Sequence, residues 1–213
     1  MQVKICGVTT NEALTAAIDA GADMIGFVFA PSRRRIEPAH AAGLVKKLPC
    51  HIQSVGVFVN ESRKNILLMA EEVKLDIIQL HGEEAPDFCR SLPLPVIKAF
   101  SVRQDSDLAN AAEYDCEYYL FDSPGVTHQG GSGIPFDWNL LGNLAIPREK
   151  VILAGGLNEG NVLEAIRRVQ PAIIDVSSGV ETNGVKDAIK IKKFIQKARG
   201  ERKRDEHDRI HIT

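Results

Sequence analysis

The sequence contains no run of about 18 consecutive apolar residues, the length a membrane-crossing helix needs, so no span is expected. No charged start leads into a long apolar stretch, so no secretory signal is expected either. Basic residues are not in excess: the formal net charge is −2 and the sequence pI is about 6.3. That balance argues against a general binder of nucleic acid or of anionic membranes. The four cysteines, Cys6, Cys50, Cys89 and Cys116, include no CxxC pair, so a clustered zinc site is set aside and no metal is expected. Without an export signal the expected compartment is the cytoplasm, where disulfides are rare and Cys6 stays a free thiol. No GxGxxG follows the first strand-like segment, which removes support for a dinucleotide-binding sheet.

What is present is a steady alternation of short apolar runs and amphipathic segments. The 213 residues, 44% of them hydrophobic, suffice for one well-buried core. Strands are expected at Val3–Cys6, Met24–Phe29, Ser54–Val59, Asp76–Leu80, Pro95–Phe100, Glu117–Asp122, Val151–Ala154 and Ala172–Val176. Helices are expected at Asn11–Ala20, Pro38–Lys47, Arg63–Val73, near Ala85–Ser91, near Ser106–Ala112, at Glu159–Val169 and at Lys186–Lys197. The strands lack clean alternation, as expected for strands buried on both faces of a parallel sheet. Eight strand–helix units predict an α/β fold, a single-domain (β/α)8 TIM barrel over residues 1–198. An open doubly wound sheet is the alternative. The stretches "MIGFVFAPS" and "SVGVFVNES" look alike and read as two units with one packing need, not as a sustained repeat. The end of the chain, "GERKRDEHDRIHIT", is charge-dense without a helical stripe, and residues 199–213 are expected to be a disordered tail.

In such a barrel the chemistry sits at the C-terminal ends of the strands. Cys6 ends the first, Gln79 and His81 the fourth, and Asp122 the sixth. Gly155-Gly156 and Ser177-Ser178-Gly179 end the seventh and eighth, where small residues expose backbone N–H groups to a phosphate. Either stretch alone reads first as a tight turn, where glycine is expected; the two on consecutive strands reverse that preference and favour a phosphate cradle, completed by a short helix starting near Ser178. Asp122 is either a loop cap or a carboxyl whose pKa rises with burial, fit to act as an acid. Cys6 is either packing or a reactive thiol. Lys4 shares its face and, if that face is inward, either favours the thiolate or is satisfied by Asp175 on the neighbouring strand. His81 reads as a base, a phosphate contact or a hydrogen-bonded structural residue. One arginine of Arg33-Arg34-Arg35 would face the mouth if the substrate carries a carboxylate.

Taken together, "KICG", "GFVF…SRRRI", "GVFVN", "QLHGEE", "LFDS", "GGSGIPFDW", "AGGLNEGNV" and "DVSSGVE" closely resemble, in order, the phosphoribosylanthranilate isomerase family of tryptophan biosynthesis, over about residues 2–198. The resemblance implies a (β/α)8 barrel that performs an Amadori rearrangement of a small phosphosugar without metal or organic cofactor. By motif it makes Cys6 the general base and Asp122 the general acid. It assigns Arg34 to the anthranilate part, with Arg33 and Arg35 adjacent in register. Gln79, His81, Gly155, Gly156, Asp175, Ser177, Ser178 and Gly179 fall on substrate-pocket positions. Two other readings compete: a histidine-pathway isomerase, expected to show two aspartates and a twofold repeat, and a silent phosphate-binding barrel. Monomer and homodimer both remain open.

Overall fold

The computed structural model describes residues 1–124 and 135–200. Of the tail expected to be disordered from residue 199, Arg199 is instead the cap of the last helix and pairs with Asp23, while residues 201–213, and part of "GGSGIPFDW", lie outside the described residues. Eight parallel strands close into a barrel in sequence order. They are β1 (Gln2–Cys6), β2 (Met24–Val28), β3 (Gln53–Phe58), β4 (Ile77–Leu80), β5 (Val96–Ser101), β6 (Tyr118–Asp122), β7 (Val151–Leu153) and β8 (Ile173–Val176). β8 pairs back on β1, with Lys4 beside Asp175. The helices α1 (Asn11–Asp19), α2 (Pro38–Val45), α3 (Arg63–Val73), α4 (Pro86–Arg90), α5 (Ser106–Ala109), α6 (Val162–Val169) and α7 (Ala188–Ala198) supply crossovers. A two-residue hairpin pair, β9 (Glu181–Thr182) and β10 (Val185–Lys186), follows β8. Among the described residues no helix is long and apolar enough to cross a membrane.

Local chemistry sets these boundaries. Thr10 and Ser62 cap α1 and α3 by accepting from the backbone of Ala13 and Asn65. Pro38 and Pro86 open α2 and α4, where a missing N–H does no harm. Four expectations need correction. The helix expected from Glu159 starts at Val162, because the Asn161 carboxamide accepts from Asn158 N and that of Asn158 from Gly160 N. Such side chain–backbone turns compete with helix formation. The last helix starts at Ala188 and not at Lys186, since Asp187 caps it through Ile189 N and Lys190 N. The fifth breaks after Ala109 into a 3-10 turn over Asn110–Glu113. The helix expected near Ser178 is a three-residue 3-10 turn, Ser178–Val180.

Strand parity divides the core in two. Met24, Val55, Ile77, Ile97, Leu120, Ile152 and Ile173 fill the barrel interior. Val3, Ile5, Ile25, Phe27, Leu44, Ile66 and Phe194 pack between strands and helices. Since Val3 and Ile5 face outward, Lys4 and Cys6 face inward. The same parity corrects the reading of the two similar units. In the β2–β3 pairing Gly26 lies beside Val55 and Phe27 beside Gly56, so the two glycines face opposite sides of the sheet. A Cβ on Gly26 would sit 2.9 Å from Cys6 Sγ, and one on Gly56 2.3 Å from Leu75 Cδ1. At the opposite pole Asp23 accepts from Val3 N at 2.8 Å and pairs with Arg199 at 2.9 Å.

Phe194 on α7 is fully buried in the outer shell. Phe194→Ala should destabilise the fold by about 3–5 kcal/mol. Urea unfolding should show a lower midpoint with an unchanged slope; a midpoint within error of the parent would mean that α7 is not docked as described.

Candidate active site

Along the inner face the apolar layer gives way to polar side chains at the C-terminal mouth. Cys6, Gln79, Asp122 and Asp175 line one cleft, with His81, Arg34, Gly155, Gly156, Ser177 and Ser178 around it. Below the thiol, Lys4 is fully buried and its ammonium donates to Asp175 Oδ1 at 3.0 Å. Both sequence readings of Lys4 therefore hold: the inward face is shared with Cys6, and Asp175 is its partner. Burial alone would pull Lys4 below its ordinary pKa, but Asp175 and Cys6 hold it above. Burial pushes the Cys6 thiol up; Lys4 pulls it back, Asp175 adds to the rise and Lys186 opposes it. Burial wins, so the cation beneath the thiol moderates its pKa without bringing it below its ordinary value.

Asp122 meets the expectation for a buried acid. Desolvation, then the charge of Asp175, push its carboxyl up to about 7, against the Ser123 N–H and Lys4. His81 sits beside it, Nε2 to Asp122 Oδ2 at 3.5 Å. Burial and the charges of Lys98 and Lys4 pull the imidazole down to about 4, so it is neutral at pH 7. Gln79 Nε2 lies 3.2 Å from its Nδ1. A neutral ring that accepts there carries its proton on Nε2, aimed at Asp122. His81 is thus placed, as a neutral ring, against the Asp122 carboxyl.

Arg34 is the member of the arginine run that lines the cleft; Arg35 pairs with Glu37 at the surface, 3.3 Å apart. Gly7, at φ 78, makes room for it: a Cβ there would lie 2.6 Å from Arg34 Cδ. The guanidinium is held by Glu181, Nε to Oε1 at 2.6 Å and Nη2 to Oε2 at 2.9 Å. Sequence reasoning missed this contact and the part of Lys186 in it, since 147 residues separate Arg34 from Glu181. The only signal was that Glu181 closes "DVSSGVE". It also missed Glu84, which accepts from Asn60 N, Gly82 N and buried Lys98, and ties together the loops after β3 and β4.

Gly155 and Gly156 take φ 84 and 63, conformations in which glycine carries no steric penalty. Gly179 differs from expectation. It does not line the cleft; a Cβ there would lie 1.8 Å from the carbonyl oxygen of Leu157, so it lets the loops after β7 and β8 touch. Among the described residues no group of three or more His, Cys, Asp or Glu is placed to hold a metal ion.

The closed parallel barrel and its polar mouth define a (β/α)8-barrel enzyme equipped for acid–base chemistry. Comparison with known proteins narrows that class. The family model for N-(5'-phosphoribosyl)anthranilate (PRA) isomerase matches residues 3–197. An N-(5'-phosphoribosyl)anthranilate isomerase of Bacillus mycoides is 52% identical over 200 residues, 93% of this chain and 98% of that relative. The structure of a phosphoribosyl anthranilate isomerase in complex with reduced 1-(o-carboxyphenylamino)-1-deoxyribulose 5-phosphate superposes with a TM-score of 0.82 at 40% identity, covering 94% of this chain and 99% of that one. That of the Thermus thermophilus enzyme reaches 0.86 at 35% identity, covering 95% and 100%. The chain belongs to the N-(5'-phosphoribosyl)anthranilate isomerase family.

Gly155 packs directly against the end of β6: a Cβ there would lie 2.3 Å from both Ser123 N and Oγ and 2.9 Å from Asp122 Oδ1. Gly21 shares its φ of 84, with no heavy atom nearer than 3.8 Å to such a Cβ. Gly155→Ala should therefore lower stability more than Gly21→Ala, which carries only the backbone strain of about 1–3 kcal/mol, and it alone should reduce turnover. Equal melting temperatures and equal activity in the two variants would show that the crowding at Gly155 is relieved freely.

Proposed function

We propose that this chain converts N-(5-phosphoribosyl)anthranilate into 1-(2-carboxyphenylamino)-1-deoxyribulose 5-phosphate, a step of L-tryptophan biosynthesis, with Asp122 as general acid and Cys6 as general base. The observation that carries this reading is one inward face holding a thiol on β1 and a carboxyl of pKa about 7 on β6, both lining one cleft. Asp122 protonates the furanose ring oxygen, the C1–O bond breaks and the anthranilate nitrogen becomes a Schiff base. The Cys6 thiolate then removes the proton from C2, and the electron pair passes into an enolamine, which tautomerises to the ketone. Arg34 receives the anthranilate carboxylate. The backbone of Gly155, Gly156, Ser177 and Ser178 receives the phosphate. Gln79 and His81 orient the acid, and Asp175 holds Lys4 under the thiol. The partner is thus a small phosphosugar, handled in the cytoplasm.

The pH dependence follows from which protonation states react. The productive site has Asp122 protonated and Cys6 ionised. The protonated fraction of Asp122 falls above about pH 7. The thiolate fraction climbs until the thiol's own pKa, which burial places above its ordinary value. Their product rises up to about pH 7, is flat between the two values and falls above the thiol's pKa.

Cys6→Ala and Asp122→Asn should each lose about 10²–10⁴-fold in turnover, read as the loss of anthranilate-type fluorescence on adding substrate. The residual activity of Cys6→Ala should lose the low-pH rise and decline above about pH 7, where the parent's profile is flat. Cys6→Ala activity above about a tenth of the parent's, a smaller loss than such a group gives, would return the thiol to packing.

A further inference from the structure

A network that the acid–base pair does not use reaches the site from the β9–β10 hairpin. Glu181 is largely buried beneath Arg34, and Lys186, 3% exposed at its side chain, donates to Glu181 Oε1 at 2.6 Å. The same ammonium donates to Ser177 O at 3.0 Å and lies 3.2 Å from Ser177 Oγ. Ser177 Oγ in turn donates to the backbone carbonyl of Cys6 at 3.1 Å. A continuous chain of contacts therefore runs Arg34–Glu181–Lys186–Ser177–Cys6, from the loop after β2 through the hairpin to the end of β1. The backbone carbonyl of Glu181 is itself fixed, accepting from Lys190 Nζ on α7 at 2.6 Å.

We propose that Glu181 and Lys186 are positioning residues of this isomerase: Glu181 grips one edge of the Arg34 guanidinium so that the other meets the substrate carboxylate, and Lys186, tied through Ser177 to the backbone of Cys6, holds a further cation at that end of β1. This rests on the acid–base reading above. With Nε and one Nη2 hydrogen bound to Glu181, the end-on edge formed by Nη1 and Nη2 is left for a carboxylate, at an angle the side chain would not hold alone. Glu181 stays ionised despite its burial, because Arg34 and Lys186 hold it below its ordinary pKa. The charged groups that act on Cys6 are Lys4 on β1, Asp175 on β8, Lys186 on β10 and Arg34 after β2; Asp122 and His81 line the same cleft. Lys4 is matched by Asp175 and Arg34 by Glu181. Lys186 shares that one carboxylate with Arg34 and carries the surplus positive charge of the set.

The two roles separate experimentally. Glu181→Gln should raise KM and weaken inhibition by anthranilate by about tenfold, the scale of one charge-assisted hydrogen bond, with a smaller change in kcat. Inhibition by inorganic phosphate, read at the cradle, should be unchanged, and Glu181→Asp should restore part of the anthranilate affinity. Lys186→Met should move the pH midpoint of Cys6 alkylation by iodoacetamide, followed on the Cys6 peptide by mass spectrometry, up by about 1 unit. Lys186→Arg should leave it near that of the parent. If Glu181→Gln weakens phosphate and anthranilate alike, or neither, Glu181 does not aim Arg34. If Lys186→Met and Lys186→Arg share the parent's midpoint, the hairpin is only structural. The alkylation arm needs no turnover: a shifted midpoint in a parent chain without isomerase activity would support the placement of Lys186 while overturning the assigned reaction.

Discussion

The ion pair between Lys4 and Asp175, sealed inside the barrel at 3.0 Å, is the interaction on which the rest of the site depends. Neither charge can be left alone at that depth: removal of one partner from a buried pair costs about 3–5 kcal/mol, since the other has no water to turn to. The pair is more than a structural filler. Its negative end lifts the pKa of Asp122 and its positive end opposes that lift. On Cys6 the same two charges act in the same opposed senses. The protonation of Asp122 and that of Cys6 are therefore tuned by one ion pair, and a change to either end alters both groups at once.

Much of the molecule is legible in the sequence because barrel strands obey a period of two. Val3, Ile5, Ile25 and Phe27 announce buried strands, and their parity places Lys4 and Cys6 on the inside once a closed barrel is assumed. Asp122 and the two glycine-rich strand ends are legible for a related reason, as polar or flexible residues where an apolar run stops. The likeness of "MIGFVF" and "SVGVFV" misled because the barrel shears the strands against each other, and a match in sequence is not a match in register. The contacts that hold Arg34 were not legible at all. Glu181 and Lys186 look like surface charges in a turn, and only closure of the barrel buries them against a loop 147 residues away.

Sequence reasoning also treated glycine as a sign of ligand contact, whereas here its uses diverge. Gly155 and Gly156 line the cleft and adopt conformations that L residues rarely take. Gly7 clears a path for an arginine and Gly179 lets one loop touch another. Gly26 leaves room for a sulfur atom. Backbone freedom and absence of a side chain are different requirements, and only a three-dimensional neighbourhood tells which applies.

The two halves of the central ion pair lie 171 residues apart, on the first and the last strands of the barrel. The contact from Ser177 to Cys6 spans the same distance. Contacts of such long range form only after the intervening chain has been ordered, and they slow folding accordingly. During synthesis Lys4 and Cys6 emerge first and Asp175 almost last, so a growing chain carries the thiol and its cation without the carboxylate that balances them. Catalytic competence is then a report on ring closure: the nascent barrel stays chemically silent until its two ends have met.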